Sequence, residues 1–346
     1  MTASELEEIL SNHQHWLNED CKDWEHMKAD LSGTDLSGTD LSKVTLKGAN
    51  LRDANLSGAN LNGTDLREAD FMGADISGAN LIEADLKNLH LKDVNLSQAN
   101  LVSADLRGSH LEDVDLSGAK LSKANFNGSI FSFVDLNNSD LSGANFKLLE
   151  LIESDLSGTN LSEAKLSNTC LSNVNFSGAD LSGSDISDAE ITNTNFKGAN
   201  LSKTDFRYTC FTEVRLSGAD LSGADLSSAS LRDAILSDVN LKGANLSGID
   251  LSGADFMGTD LSGANLIEGD LKNLYLKDSN LSQANLKGAD LSNAKLREVN
   301  LSGSNFSGTN LSGADFSNAD LRDVNFDNAN LDGVNFTGAR NAPRNI

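Results

Sequence analysis

Proline occurs once in 346 residues, at Pro343, where an average soluble protein uses it for roughly 5 % of positions. That scarcity excludes the proline-punctuated linkers that separate globular domains. Cysteine is also sparse: Cys21, Cys170 and Cys210 are too few and too scattered for a disulfide framework, which fits a reducing compartment. Basic residues are in deficit, 27 Lys and Arg against 51 Asp and Glu, leaving a formal charge of −24. Such a chain is repelled by nucleic acid and anionic lipid, so no direct nucleic-acid or membrane binding is expected and a protein partner would be basic. No apolar run approaches the ~18 residues of a membrane span, and the acidic start lacks the basic and apolar regions of a signal peptide, so a cytoplasmic location is expected. Gly-x-Ser-x-Gly, His-Glu-x-x-His and phosphate-loop motifs are missing, and with them the usual sequence signs of an enzyme or of a cofactor site.

What fills the sequence instead is one short phrase. From Leu31 to Phe336 every fifth residue is Leu, Phe or Ile, 62 consecutive positions without an insertion. A helix would space its apolar residues three and four apart. Here a small residue stands two before each large one, as in Ala49 with Leu51, which is the alternation of a strand with both side chains inward. Asp or Asn usually precedes the large residue, as at Asp35, Asn55 and Asp220, where its short side chain can accept a hydrogen bond from the turn backbone. Ser-Gly, as at Ser57-Gly58, then permits a sharp corner. Each pentad is one short side and one corner.

The exceptions reveal how many sides close a turn. His90, His110, Ile130, Glu150, Cys170, Glu190, Cys210 and Ser230 stand where Asp or Asn is expected, and their spacings are 20 or multiples of it. The column from Leu41 to Leu321 at the same period is Leu throughout, although Phe is frequent elsewhere. Four pentads per turn follow, about 15.5 coils stacked at the ~4.8 Å strand spacing, giving a rod of roughly 75 Å. One coil cannot bury its large residues without neighbours. Each buried centre contributes ~1.5–3 kcal/mol, and stability is cooperative along the stack.

The phrase Ala-Asp-Leu-Ser-Gly, intact at Ala179 to Gly183 and Ala219 to Gly223, resembles the pentapeptide repeat proteins. The resemblance implies an all-β solenoid, a right-handed quadrilateral β-helix, over about nine tenths of the chain, and carries no catalytic or cofactor residue with it. Segments 71–101 and 256–286 are near copies, an offset of thirty-seven pentads that sets them on different sides.

Residues 1–28 read as an N-terminal capping helix and lead-in, 29–340 as the repeat and 341–346 as a C-terminal tail. In the helix, Ser4 and Glu7 match a capping box, while Leu6, Ile9, Leu10, His13 and Leu17 share one face. Covering an open solenoid end removes exposed strand edges. His90 and His110 should stack on one wall, but two imidazoles fall short of the three or four ligands of a tight metal site, so no metal is expected. Cys170 and Cys210 are two coils apart, beyond disulfide reach.

Four apolar residues break the polar exterior: Ile130 and Ile152 at outward positions, Phe133 and Leu148 at corners. They form the candidate partner-binding group. At the far end, Phe306, Phe316, Phe326 and Phe336 fall on opposite walls, and Phe326 and Phe336 are the candidate residues for homodimer formation through the C-terminal end. The first functional reading is a non-enzymatic acidic scaffold that binds protein. The alternative is DNA mimicry, since some members of the resembled family are understood to occupy the DNA groove of type II topoisomerases. Residues 29–340 hold a net charge of −20, about one per 3.7 Å of rod against one per ~1.7 Å of duplex DNA. Those mimics also tend to carry surface loops and a C-terminal dimerisation element, neither evident here. Both points favour the scaffold.

Overall fold

A computed structural model of the chain describes residues 1–343. It shows a parallel β-solenoid preceded by one helix, and it comprises two compact units, Met1–Lys165 and Leu166–Ile346. In both, bridged residues are 20 apart and parallel: Asp30 with Asn50 and Asp35 with Asn55 in the first, Asn195 with Arg215 and Asp290 with Asn310 in the second. The backbone bonds have a fixed grammar. The Leu31 amide donates to the Asn50 carbonyl at 2.8 Å, Gly33 to Arg52 at 2.8 Å, and the Asn50 amide returns to Ala29 at 2.9 Å.

Each side chain of the pentad has the role its chemistry dictates. Every large centre from Leu31 to Leu321 is buried, together with most of the small residues two before them. At several positions where that small residue is Thr or Ser, its hydroxyl finds a carbonyl inside the wall, as Thr64 Oγ1 does at Leu41 O (2.9 Å) and Ser109 Oγ at Leu86 O (2.8 Å), whereas the buried Ser139 and Ser184 hydroxyls have no such partner. The Asp or Asn before the centre caps the following turn: Asp40 Oδ1 accepts the Ser42 amide proton at 3.0 Å. The same oxygen accepts from the next turn, where Asn60 Nδ2 donates at 2.9 Å. Amide over carboxylate, or amide over amide, therefore forms runs of such bonds along the walls, as at Asn55 over Asp35 and Asn80 over Asn60. Two residues after the centre the chain always turns left-handed, so Gly33 lies at φ 61° and Asn88 at φ 55°.

On one wall of the first unit, bases stand between stacked carboxylates. Asp65, Asp85 and Asp105 are registered 20 residues apart. Arg67 contacts Asp65 at 2.7 Å and Asp85 at 3.5 Å, Lys87 contacts Asp85 at 3.0 Å and Asp105 at 3.5 Å, and Arg107 contacts Asp105 at 2.8 Å.

The helix α1 spans Ala3–Asn18. Its capping box is Thr2 with Glu5, not Ser4 with Glu7: Thr2 Oγ1 accepts from the Glu5 amide and the Glu5 carboxylate accepts from the Thr2 amide at 2.7 Å. The helix begins two residues earlier than it would with Ser4 as its cap, so Ser4 already lies in its first turn. His13 is the buried residue of α1, with Nδ1 accepting the Ala29 amide proton at 3.1 Å and the ring stacked on Trp16 at 5.3 Å. Trp16 covers Gly48 so closely that an added Cβ there would sit 3.0 Å from the indole, and the Lys28 ammonium lies 5.7 Å from the indole ring centre. Of the tail, Asn341 to Pro343 fall within the described residues and the last three do not.

Candidate protein-interaction face

Among the described residues, seven three-residue strands interrupt the regular turns. In the first unit they are β1 (His90–Lys92), β2 (His110–Glu112), β3 (Ile130–Ser132) and β4 (Glu150–Ile152); in the second, β5 (Cys170–Ser172), β6 (Glu190–Thr192) and β7 (Cys210–Thr212). Every strand begins at a residue that is neither Asp nor Asn, so no side-chain oxygen draws the next amide into a capped turn. That loss is not sufficient, because Thr45 and Lys120 also lack the cap and their turns persist. The strands occur where such residues follow one another in register, and the inward column just after them is widened by Val94, Val114, Val134, Val174 and Val214. β-branched residues favour extended backbone. The column of exceptions was legible in the sequence; its flattening into strands was not, because β4 and β6 are followed by Ser154 and Thr194 and other valines, such as Val239, stand beside capped turns.

β1 to β4 pair in parallel: His90 with His110, His110 with Ile130, Ile130 with Glu150 and Ser132 with Ile152. The His90 and His110 rings stack at 4.7 Å. Glu112 is their carboxylate neighbour, 3.7 Å from His90 Nε2, but its other oxygen is held by Lys92 at 2.5 Å. That lysine hydrogen bond holds the Glu112 carboxyl below the usual range. The group is an ion-paired surface.

Further along the same wall, Ile130 is 38 %, Phe133 53 %, Leu148 62 % and Ile152 36 % exposed. Phe133 and Leu148 occupy left-handed corners at φ 56° and 59°. Glycine, Asn or Asp fits that region easily; a bulky side chain is strained there by about 1 kcal/mol. Behind them the wall is rigid, since Phe126 stacks on Phe146 at 4.9 Å and meets Phe131 edge-on at 5.2 Å. Four apolar side chains therefore stand outward on a stiff backing, with Glu150 and Glu153 beside them.

Clefts lie where flattened turns meet capped ones. One of ≈ 400 Å³ lies between the Asp70 turn, whose carboxylate caps Met72 at 3.1 Å, and the His90 strand. A second, of ≈ 570 Å³, lies between β7 and the turn of Ser230 to Ile235, where Ile235 is 64 % exposed. Sequence reading missed both, because neither depends on a residue type so much as on two backbone shapes being adjacent. Cys170 and Cys210 are exposed thiols, and Cys210 pairs with Glu190 in the ladder. Phe326 and Phe336 are half-buried. Phe306 stacks on Phe326 at 5.6 Å, Phe316 on Phe336 at 5.5 Å, and Phe326 meets Phe336 edge-on at 6.2 Å. No helix among the described residues is long and apolar enough to cross a membrane.

The sequence model of the family described as Pentapeptide repeats matches eight overlapping segments within residues 28–88, 90–128, 199–273 and 275–338, and the one described as Pentapeptide repeat region matches 129–206. The chain belongs to the pentapeptide repeat family. Solved structures similar to it include HetL, a family member from the cyanobacterium Nostoc involved in heterocyst differentiation regulation, at 24 % identity over 75 % of this chain and 89 % of that one, with a TM-score of 0.24. Full-length QnrB1, a plasmid-mediated fluoroquinolone resistance protein, is 18 % identical over 68 % of this chain and 92 % of that one, TM-score 0.24. A pentapeptide repeat protein from the Arabidopsis thaliana thylakoid lumen is 30 % identical over 35 % of this chain and 68 % of that one, TM-score 0.18. No protein with a curated description matches the chain.

Proposed function

We propose that this family member is a non-enzymatic, acidic protein-interaction scaffold of the cytoplasm. In this reading residues 29–340 wind as a right-handed quadrilateral β-helix of about 15.5 coils. Residues 1–28 close one end and 341–346 form a tail. The partner is a protein with a basic surface, and it seats on Ile130, Phe133, Leu148 and Ile152. One observation carries the proposal: bulky Phe133 and Leu148 hold left-handed corners while exposed, so the fold bears their strain without burying them in return. The charge of −24 selects basic partners and steers their approach.

DNA mimicry is the alternative, and the wall of Asp65, Asp85 and Asp105 weighs against it. There Arg67, Lys87 and Arg107 neutralise the stacked carboxylates, whereas a phosphate mimic needs them bare. The test captures partners with the wild-type chain and with Ile130→Asp/Ile152→Asp, at two salt concentrations, with type II topoisomerase supercoiling run in parallel. A partner retained by the wild type and lost by the double variant supports the scaffold. Sub-micromolar inhibition of the topoisomerase that the double variant still shows would replace it with the mimic.

A further inference from the structure

The end of α1 brings together three side chains with three different donor atoms. Glu19 caps the helix in the left-handed conformation, φ 53° and ψ 34°, and the chain reverses there. Asp20 and Cys21 therefore come back beside the last turn of the helix. His15 Nδ1 lies 2.7 Å from Asp20 Oδ1. With Cys21 Sγ, one ligand atom from each of the three residues forms a triangle in which all lie within 4.8 Å of one another. Asn18 Nδ2 donates to the second Asp20 oxygen at 3.1 Å and fixes the plane of the carboxylate. On its other side Cys21 Sγ touches Met27 Sδ at 3.5 Å, so the thiol is held in place from the lead-in segment.

We propose that His15, Asp20 and Cys21 bind a zinc-class divalent cation, with water in the fourth position. The donor set decides the class: one imidazole nitrogen, one carboxylate oxygen and one thiolate sulfur suit Zn²⁺, while Ca²⁺ and Mg²⁺ take oxygen ligands. Zn–N and Zn–O bonds of about 2.0–2.2 Å and a Zn–S bond of about 2.3 Å place tetrahedral ligand atoms about 3.3–3.6 Å apart. The widest gap in the triangle must close by little more than ~1 Å, and the His15–Asp20 hydrogen bond must open by less than ~1 Å, adjustments within the reach of side-chain rotation. Binding exchanges the S–H bond of Cys21 for an S–Zn bond and releases the proton to solvent. Asn18 stays on the carboxylate as an outer support of the kind that holds metal ligands in place. The ion would tie the C-terminal end of α1 to the segment that leads into the repeat. The His90 and His110 pair is the weaker candidate, because the Lys92 ammonium already occupies its nearest carboxylate.

The experiment uses the full chain, stripped of metal with a chelator. Titration with Zn²⁺ is followed by calorimetry, and titration with Co²⁺ by its visible and thiolate-to-metal charge-transfer absorption. One equivalent binds. Cys21→Ser and His15→Ala each weaken binding at least tenfold and Cys21→Ser removes the charge-transfer band; Asn18→Ala weakens it by about tenfold. Cys170→Ser/Cys210→Ser and His90→Ala/His110→Ala leave it unchanged. Zn²⁺ slows alkylation of Cys21 at least tenfold and leaves the rates at Cys170 and Cys210 alone. Circular dichroism of the metal-free variants shows that the fold is kept. Absence of stoichiometric binding, binding that survives Cys21→Ser, or equal protection of all three thiols would overturn the site.

Discussion

The Phe133 amide donates to the Ile152 carbonyl at 3.1 Å, across one turn of the first unit, while both side chains face outward. The bond fixes the two members of the apolar group to one another through backbone, so their spacing is set by the ladder and not by their own packing. A partner meets a preformed surface and loses little freedom in ordering it.

Replacing Phe133 by Asn separates the cost of that surface from its use. Asn accepts the left-handed corner more readily than Phe, so Phe133→Asn should leave local stability equal or raise it by ~0.5–1 kcal/mol. Partner capture should fall. Amide hydrogen exchange at residues 130–135 reads the first and capture the second. A Phe133→Asn chain that exchanges faster and binds as before would show that the ring is a structural element.

Much of the architecture was legible in the sequence because the pentad leaves little freedom. Leu31 to Phe336 recur at a fixed interval, and the substitutions from His90 to Cys210 mark one wall by the period of 20. The outward placement of Ile130 and Ile152 follows from alternation alone. The capping box was misplaced by two residues, because Thr2 and Ser4 offer the same hydroxyl and only the helix start distinguishes them. The His15, Asp20 and Cys21 cluster could not be read at all. It depends on Glu19 adopting a left-handed cap, a conformation that no neighbouring residue type demands.

The cap should respond to acid through His13. Burial pushes this imidazole below its usual pKa, the Lys28 ammonium adds to the effect, and the Lys47 carbonyl opposes it. Its folded pKa lies below the unfolded value, so its contribution is complete above about 6.5 and is lost as pH falls through the folded pKa. Protonation also turns Nδ1 from the acceptor of the Ala29 amide into a donor. Tryptophan emission should report Trp16 leaving Gly48 as pH falls through the depressed folded pKa of His13, and His13→Asn, which keeps an acceptor without a titration, should abolish that transition. A pH-independent signal in the wild type would sink this account.

A second acid response belongs to the repeat. Hydrogen bonds from Arg67 to Asp65 and from Arg207 to Asp205 hold both carboxyls below the usual range. Such groups stabilise the fold above their unfolded value of about 3.9, and the contribution disappears as pH falls through the depressed folded value. With the His13 titration removed by His13→Asn, the melting temperature should be flat between pH ~7 and ~5 and decline below ~4. Arg67→Met/Arg207→Met should make the decline shallower. An equal decline in the variant would assign the acid sensitivity to other carboxylates.

Self-association should run through Phe326 and Phe336. The centres are buried as far as Leu321, after which Phe326, Leu331 and Phe336 become half-buried together with Val324 and Val334. Their rings form a continuous stack with the buried Phe306 and Phe316, so the core of the second unit is open to solvent at this point. Among the described residues the last registered bridge is Asp320 with Arg340, and a second copy can pair with the strand edge of that turn. A second copy offers the same rings and the same edges, and a two-fold contact covers both sets at once. The opposing force is charge, since Asp323, Asp327 and Asp332 surround the rings and are exposed. Raising the salt concentration screens that repulsion and should strengthen the dimer. Asp327→Asn/Asp332→Asn should do the same at low salt, and Phe336→Asp should return the chain to a monomer. Light scattering over a concentration series measures all three: a strict monomer at high micromolar concentration and high salt, or a dimer indifferent to Phe336→Asp, would remove this end as the contact.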